Sequence, residues 1–188
     1  MEESIMFTID SAYILVPALI IFLLYITYAA LLRHKFSLGQ AVLLTSFAIY
    51  FLCMIHLVFF PIEVNIGKYA NLTPWYKSIN FIPILTIDIT TFLLNVIMML
   101  PFGMYLPLLN KKYHSIKKAA YIGFLVSLTF EIIQLLIRVT LGNGRSTDIN
   151  DLIANTLGAV VGFLLIKKLS HVQIVIRILH KISLEKGM

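Results

Sequence analysis

Five apolar runs, each close to the length of a membrane-crossing helix, constrain this chain more than any other feature. They lie at about 13–32, 41–60, 91–109, 119–137 and 152–166. A hydrocarbon layer of about 30 Å takes about 20 helical residues to cross. A backbone inside it must satisfy its own hydrogen bonds, so each run reads as a helix. The last run reaches span length only with Asp151 and Lys167 at its ends. Of 188 residues 60% are hydrophobic and 13% charged, with a mean hydropathy of +0.92. That balance excludes a soluble domain. The expected fold is all-α: a polytopic helical membrane protein of about five spans. A single cysteine, Cys53, excludes an internal disulfide. The acidic start MEESIMFTID lacks the basic region of a secretory signal, so no cleaved signal is expected.

The connections carry the charge. Arg33 and Lys35 follow the first run; Lys111, Lys112, Lys117 and Lys118 separate the third from the fourth; Lys167, Lys168, Arg177, Lys181 and Lys186 follow the fifth. These are 11 of the 15 Lys and Arg residues, and all fall on one side of a five-span arrangement. Lys68, Lys77, Arg138 and Arg145 fall on the other. The positive-inside rule makes the crowded side cytoplasmic, with the N-terminus outside and the C-terminus inside. The outer connection of 61–90 is long, carries the interfacial aromatics Tyr69, Trp75 and Tyr76, and ends in NFIPIL at 80–85, an interfacial or re-entrant segment. Asp88 is placed to cap the third helix. Pro101 and Gly103 sit within that helix, where a kink is expected. In the tail, Val172, Val175, Ile176, Leu179 and Ile182 share helical spacing, with Gln173, Arg177, His180 and Lys181 on another side. This reads as a basic amphipathic helix on the cytoplasmic leaflet, acting as an anchor or a partner surface. The organisation is a transmembrane domain over 1–169 and a basic tail over 170–188.

Polar residues are scarce, yet seven of them fall within 131–155: Glu131, Gln134, Arg138, Arg145, Asp148, Asp151 and Asn155. Ser127, Glu131, Gln134 and Arg138 recur at intervals of four, three and four, one face of the fourth helix. Asp148, Asp151, Asn155, Gly158 and Gly162 share one face of the fifth. Asn95 and His56 lie near the outer ends of the third and second. A carboxylate at mid-helix costs about 2.5–3.5 kcal/mol on insertion scales, so Glu131 must face the bundle and be paired, hydrated or protonated. Arg138 and Arg145 are its available partners. Such residues either fix helix registration as buried hydrogen-bonding glue or form a functional polar site. Gly158 and Gly162 form a small-residue stripe that admits a close neighbour, most simply another helix of the same chain. As acid–base chemistry the cluster offers Glu131, Asp148 and Asp151, but no HExxH spacing, no second histidine on the same side and no histidine to orient Ser127. No phosphate-cradling glycine loop or nucleic-acid surface is present, and neither a cofactor nor a metal site is expected.

The motifs resemble the VanZ-like family of bacterial membrane proteins. Asn80 and Pro83 match Asn-x-x-Pro. Asn95, Pro101 and Gly103 match an asparagine followed by Pro-x-Gly, and Glu131 with Gln134 matches Glu-x-x-Gln. Arg145, Asp148, Asp151, Asn155 and Gly158 match Arg-x-x-Asp-x-x-Asp-x-x-x-Asn-x-x-Gly. The likeness spans about 50–166. It implies a protein of the bacterial plasma membrane associated with resistance to glycopeptide antibiotics, teicoplanin in particular, and it implies no established catalytic activity.

The residues and the resemblance lead to an expected outer-leaflet polar pocket made by Asn80, Asn95, Glu131, Gln134, Arg138, Arg145, Asp148, Asp151 and Asn155. Its expected partners are membrane lipids and an amphiphile, either a lipoglycopeptide or a lipid-linked envelope precursor. The alternatives are an enzyme acting on a lipid head group at the outer face and a non-enzymatic helix-packing partner.

Overall fold

A computed structural model describes residues 4–184; Lys186 of the tail lies outside them. Five helices are long and apolar enough to cross a membrane: α1 (Ala12–Leu31), α2 (Leu38–Phe59), α3 (Ile89–Leu109), α4 (Ile116–Leu141) and α5 (Ile149–Leu169). A sixth, α6 (Gln173–Ile182), follows as the tail pattern predicts. The starts of α2, α3, α4 and α5 carry side-chain caps. Ser37 and Gln40 form a reciprocal capping box on α2. Asp88 accepts from the Thr90 and Thr91 amides of α3, Ser115 from Lys118 of α4, and Asp148 from Asn150 of α5. The Thr91 hydroxyl and the two amides hold the exposed Asp88 carboxyl below its ordinary value.

Two short β elements sit at one end of the bundle. β1 (Ile5–Ile9) pairs antiparallel with β2 (Ile62–Ile66), the strand that follows α2. β3 (Ile79–Asn80) pairs parallel with β4 (Thr147–Asp148), which leads directly into α5. The NFIPIL segment thus begins as a strand residue and turns at Ile84, whose φ of +69° is strained for a branched side chain. Asn150 holds that turn, accepting from the Ile84 amide at 2.8 Å and donating to Thr86 at 3.1 Å.

The core is the α3–α5 seam. Its approach is backbone to backbone: a Cβ on Gly158 would land on the Val96 carbonyl oxygen, one on Gly162 on that of Leu100, and one on Gly103 on that of Ala159. The small-residue stripe therefore packs internally. Met54, Phe59, Met99, Phe102, Leu106, Phe130, Ala159 and Phe163 close around it.

The proline break in α3 is filled by another helix. Pro101 has no N–H to donate, and one residue on, the Tyr50 hydroxyl of α2 sits between the Phe102 amide and the Met98 carbonyl. It accepts from the amide at 3.1 Å and donates to the carbonyl at 2.8 Å. A side-chain hydroxyl thus takes the place of an i→i−4 bond, one of the recognised ways to open a helix.

At the opposite, basic end α6 docks under the bundle. Leu179 packs with Leu43, Leu108 and Ile166, Gln40 donates to the Ser183 and Leu184 carbonyls, and the Leu184 amide bonds Leu108 O at 3.1 Å. Val172 and Ile176 stay exposed, so the bundle covers only part of the apolar face of the tail.

Candidate functional site

The site is built where four helices and one loop meet at the end away from α6. Leu57 and Val58 of α2, Asn95 of α3, Glu131 and Gln134 of α4, Asp151 and Asn155 of α5, and Arg145 of the α4–α5 loop line one cavity of about 420 Å³. Leu94, Ile97, Met98 and Phe130 supply apolar wall. Leu57, Leu94 and Ile97 are each 60–63% exposed, so the cavity reaches the lateral surface of the bundle.

The N-terminus of α5 organises the acids. Asp148 caps it, Asp151 lies in its first turn, and Glu131, buried at 6% exposure, accepts from the Asp148 amide at 3.1 Å. Three carboxyl groups therefore gather at the N-terminal end of one helix, where Glu131 accepts from the Asp148 amide and Asp148 from the Asn150 amide. Asn95 donates to Asp151 at 2.7 Å across the α3–α5 seam, and Asn155 donates to Ser127 of α4 at 2.9 Å. Asn80 donates to Asp148 at 3.0 Å beside the β3–β4 pairing.

The arginines act differently from the expectation. Neither bonds Glu131. Arg145 extends from its loop to the unsatisfied C-terminal carbonyls of α2, donating to Val58 O at 2.7 Å and Phe60 O at 2.8 Å; Gln134 donates to Val58 O at 3.0 Å. The last carbonyls of any helix lack intrahelical donors, and Pro61, just beyond, has no N–H to offer them. Arg138 turns to its own loop, where Nη1 meets the carbonyls of Asn143, Gly144 and Arg145 at 3.5, 3.1 and 2.9 Å. Gly142 makes that return possible: it ends α4 at φ +68°, and a Cβ there would strike the Asn65 carbonyl.

Of the nine expected site residues, Asn95, Glu131, Gln134, Arg145, Asp151 and Asn155 line the cavity together. Asn80 and Asp148 line a smaller neighbouring cavity of about 170 Å³ that shares Glu131. Arg138 lies on a separate cavity of about 350 Å³ with Asn71 and Trp75. His56 stands apart, its Nδ1 2.9 Å from Ser11 Oγ at the start of α1. Among the described residues no group of three or more His, Cys, Asp or Glu is placed to hold a metal. Sequence reasoning missed Asn150 and Tyr50. Asn150 adjoins the acidic cap and carried a usable signal as a polar residue in the first turn of a span. Tyr50 carried none, since its role depends on meeting Pro101 from another helix.

Fold and site define a multi-pass helical membrane protein with a polar cavity set toward one end and reaching the lipid-facing surface. The VanZ/LLP1 family matches residues 47–173, and the chain belongs to it. The chain is similar to Protein VanZ of Enterococcus faecium, 34% identical over 122 residues, a stretch covering 61% of this chain and 67% of that one. No solved structure matches it. The matched region begins within α2 and ends at the start of α6, so it contains every residue of the cavity.

Proposed function

We propose that this is a plasma-membrane protein whose cavity engages an amphiphile from the outer leaflet, with the tail between α2 and α3 and the polar head at Glu131, Asp151 and Asn155. The observation that carries the reading is the composition of the cavity: seven polar side chains, Thr91 among them, from three helices and a loop, together with exposed aliphatic residues. A volume of about 420 Å³ falls in the range of small-molecule sites. Charge supports the orientation, because the cavity lies at the end opposite the lysine-rich connections. Family membership supports a link to glycopeptide resistance, with teicoplanin, another lipoglycopeptide or a lipid-linked envelope precursor as the amphiphile.

In the decisive test, Glu131→Ala and Asp151→Ala are assayed for glycopeptide susceptibility and for surface accumulation of a labelled lipoglycopeptide at matched membrane abundance. Both variants are expected to lose the phenotype, and full activity of both defeats the proposal. Placement of two carboxyl groups on one cavity wall favours acid–base chemistry on a head group as the second reading. Glu131→Gln separates the two, since it removes proton transfer while keeping an oxygen for the Asp148 amide. Full loss favours the enzyme, and substantial retention favours binding. Orientation is checked in a Cys53→Ser background. A cysteine at exposed Asn71 is expected to react with an impermeant thiol reagent applied to intact cells, and one at exposed Ser115 is not. Labelling at position 115 from outside overturns the orientation.

A further inference from the structure

The polar end of the cavity is unequal in hydrogen bonding. Each of its donor groups makes at least one bond within the protein: Asn95 to Asp151 at 2.7 Å, Gln134 to Val58 O at 3.0 Å, and Arg145 to the Val58 and Phe60 carbonyls at 2.7 and 2.8 Å. Its acceptors are left partly open. Asn155 is 4% exposed, its amide nitrogen meets Ser127 at 2.9 Å, and its Oδ1 is buried with no hydrogen-bond partner. Glu131 places Oε2 on the Asp148 amide and Asp151 places Oδ1 on Asn95, and the second oxygen of each has no protein donor among the described residues. A buried acceptor left without a donor is unfavourable, so an occupant that brings a donor recovers that loss. Formal charge points the same way. Two carboxyl groups line the cavity against one guanidinium, and that guanidinium is turned to helix-end carbonyls.

We infer that the head group this cavity takes is a primary ammonium on an apolar tail, its N–H groups shared among Asn155 Oδ1 and the carboxylates of Glu131 and Asp151. The inference rests on the amphiphile reading above and names the head that reading leaves open. An ammonium carries three N–H donors, enough for Asn155 Oδ1 and one oxygen each of Glu131 and Asp151. An anionic head would meet two carboxylates, and a quaternary ammonium has the charge but no donor for Asn155. The same chemistry occurs in a resident membrane lipid and in a soluble amphiphile arriving from water.

The test uses the full chain in nanodiscs of phosphatidylethanolamine, phosphatidylcholine and phosphatidylglycerol in equal amounts. Lipid that stays with the protein after mild detergent extraction is quantified by mass spectrometry. Phosphatidylethanolamine and phosphatidylcholine share phosphate and charge type, and differ in N–H donors. Phosphatidylethanolamine is expected to be enriched about tenfold over phosphatidylcholine, the ratio that one hydrogen bond to a charged group supplies. Asn155→Leu is expected to return the ratio to that of the bulk, and Glu131→Gln, which leaves the Asp151 carboxylate and Asn155 Oδ1 in place, to lower the ratio without abolishing it. Asn155→Asp, which keeps an acceptor in place, is expected to retain it and serves as the folded comparison. n-Decylammonium added from water identifies the source: displacement of the retained lipid assigns the site to soluble amphiphiles as well, and its failure assigns it to the resident lipid. Equal retention of the two zwitterionic lipids, or preference for phosphatidylglycerol, overturns the ammonium assignment. If that retained lipid is still lost in Leu94→Trp, which fills the apolar wall, the amphiphile reading survives. Retention at bulk proportion with no response to Leu94→Trp overturns both.

Discussion

α1 and α5 have 20 and 21 residues and both can cross a membrane, but they share little else. α1 is the most apolar of the five, and only 11% of its span is buried; α5 is the least apolar, and 44% of its span is buried. Hydropathy in a lipid-embedded chain measures willingness to face lipid, and it says nothing of packing, because a neighbouring helix is no more apolar than an acyl chain. What packs α5 is the absence of side chain at Gly158 and Gly162 and the presence of polar groups at Asp151 and Asn155. What leaves α1 exposed is uniform bulk: Tyr13, Ile21, Leu24 and Leu31 are each more than 60% exposed. The family match omits α1 and includes all of α5. The helix with fewer apolar residues holds the site together.

The sharpest way to break this contrast is to give α5 a side chain at its seam. In Gly162→Ala the new Cβ would land on the Leu100 carbonyl oxygen with the Gly103 Cα close behind, so two backbones must separate. Overpacking of this kind, against backbone that cannot rotate away, is expected to cost about 3 kcal/mol or more. The measurement is thermal unfolding of the purified protein in detergent, read with the monodisperse fraction. A melting temperature unchanged from the parent shows that the seam is not the structural centre described here.

A smaller effect belongs to α2, which is intermediate in burial. Tyr50→Phe keeps the ring and its stacking on Tyr105, at 5.8 Å between centroids, and removes only the hydroxyl that bridges Phe102 N and Met98 O. The loss is expected to be about 1–2 kcal/mol in the same thermal assay, the usual worth of a buried hydrogen bond between helices. Stability equal to the parent implies that Met98 and Phe102 re-form a direct bond.

These cases show what a sequence can disclose about such a protein. The spans were legible because 20 apolar residues have few other uses, and the structure extends the runs by up to four residues at their ends. Co-location of Asn95, Glu131, Asp151 and Asn155 was legible because helical period and alternating direction place them at one depth. The partners of Arg138 and Arg145 were not. Opposite charge made Glu131 the obvious choice, whereas the fold offers them carbonyls at helix ends and in a turned loop, groups that every residue carries and no sequence marks. His56 has the right depth but faces α1, because depth is fixed by position in a span and facing depends on the neighbours. β1 and β2 were missed because each is only five residues long, and their pairing joins segments more than 50 positions apart.

The weakest expected effect tests the other side of the comparison. Ile21 and Leu24 are 68% and 66% exposed on α1, so no protein atom packs tightly over them. Truncating either to alanine removes contact with lipid or detergent, leaves no internal cavity, and breaks no hydrogen bond. α1 is held instead at its ends: β1 pairs with β2 just before it, Ser11 at its start meets His56 of α2, and it packs along α2, where the buried Ile26 and Ala29 lie. Ile21→Ala and Leu24→Ala should therefore each shift stability by less than about 0.5 kcal/mol, as exposed substitutions do. Cavity function should also be unchanged, since α1 supplies none of its lining. Thermal unfolding and lipoglycopeptide accumulation, measured on both variants, check this. A loss comparable to that of Gly162→Ala would mean that α1 is covered in the membrane by a second chain, and its exposure would then mark an interface.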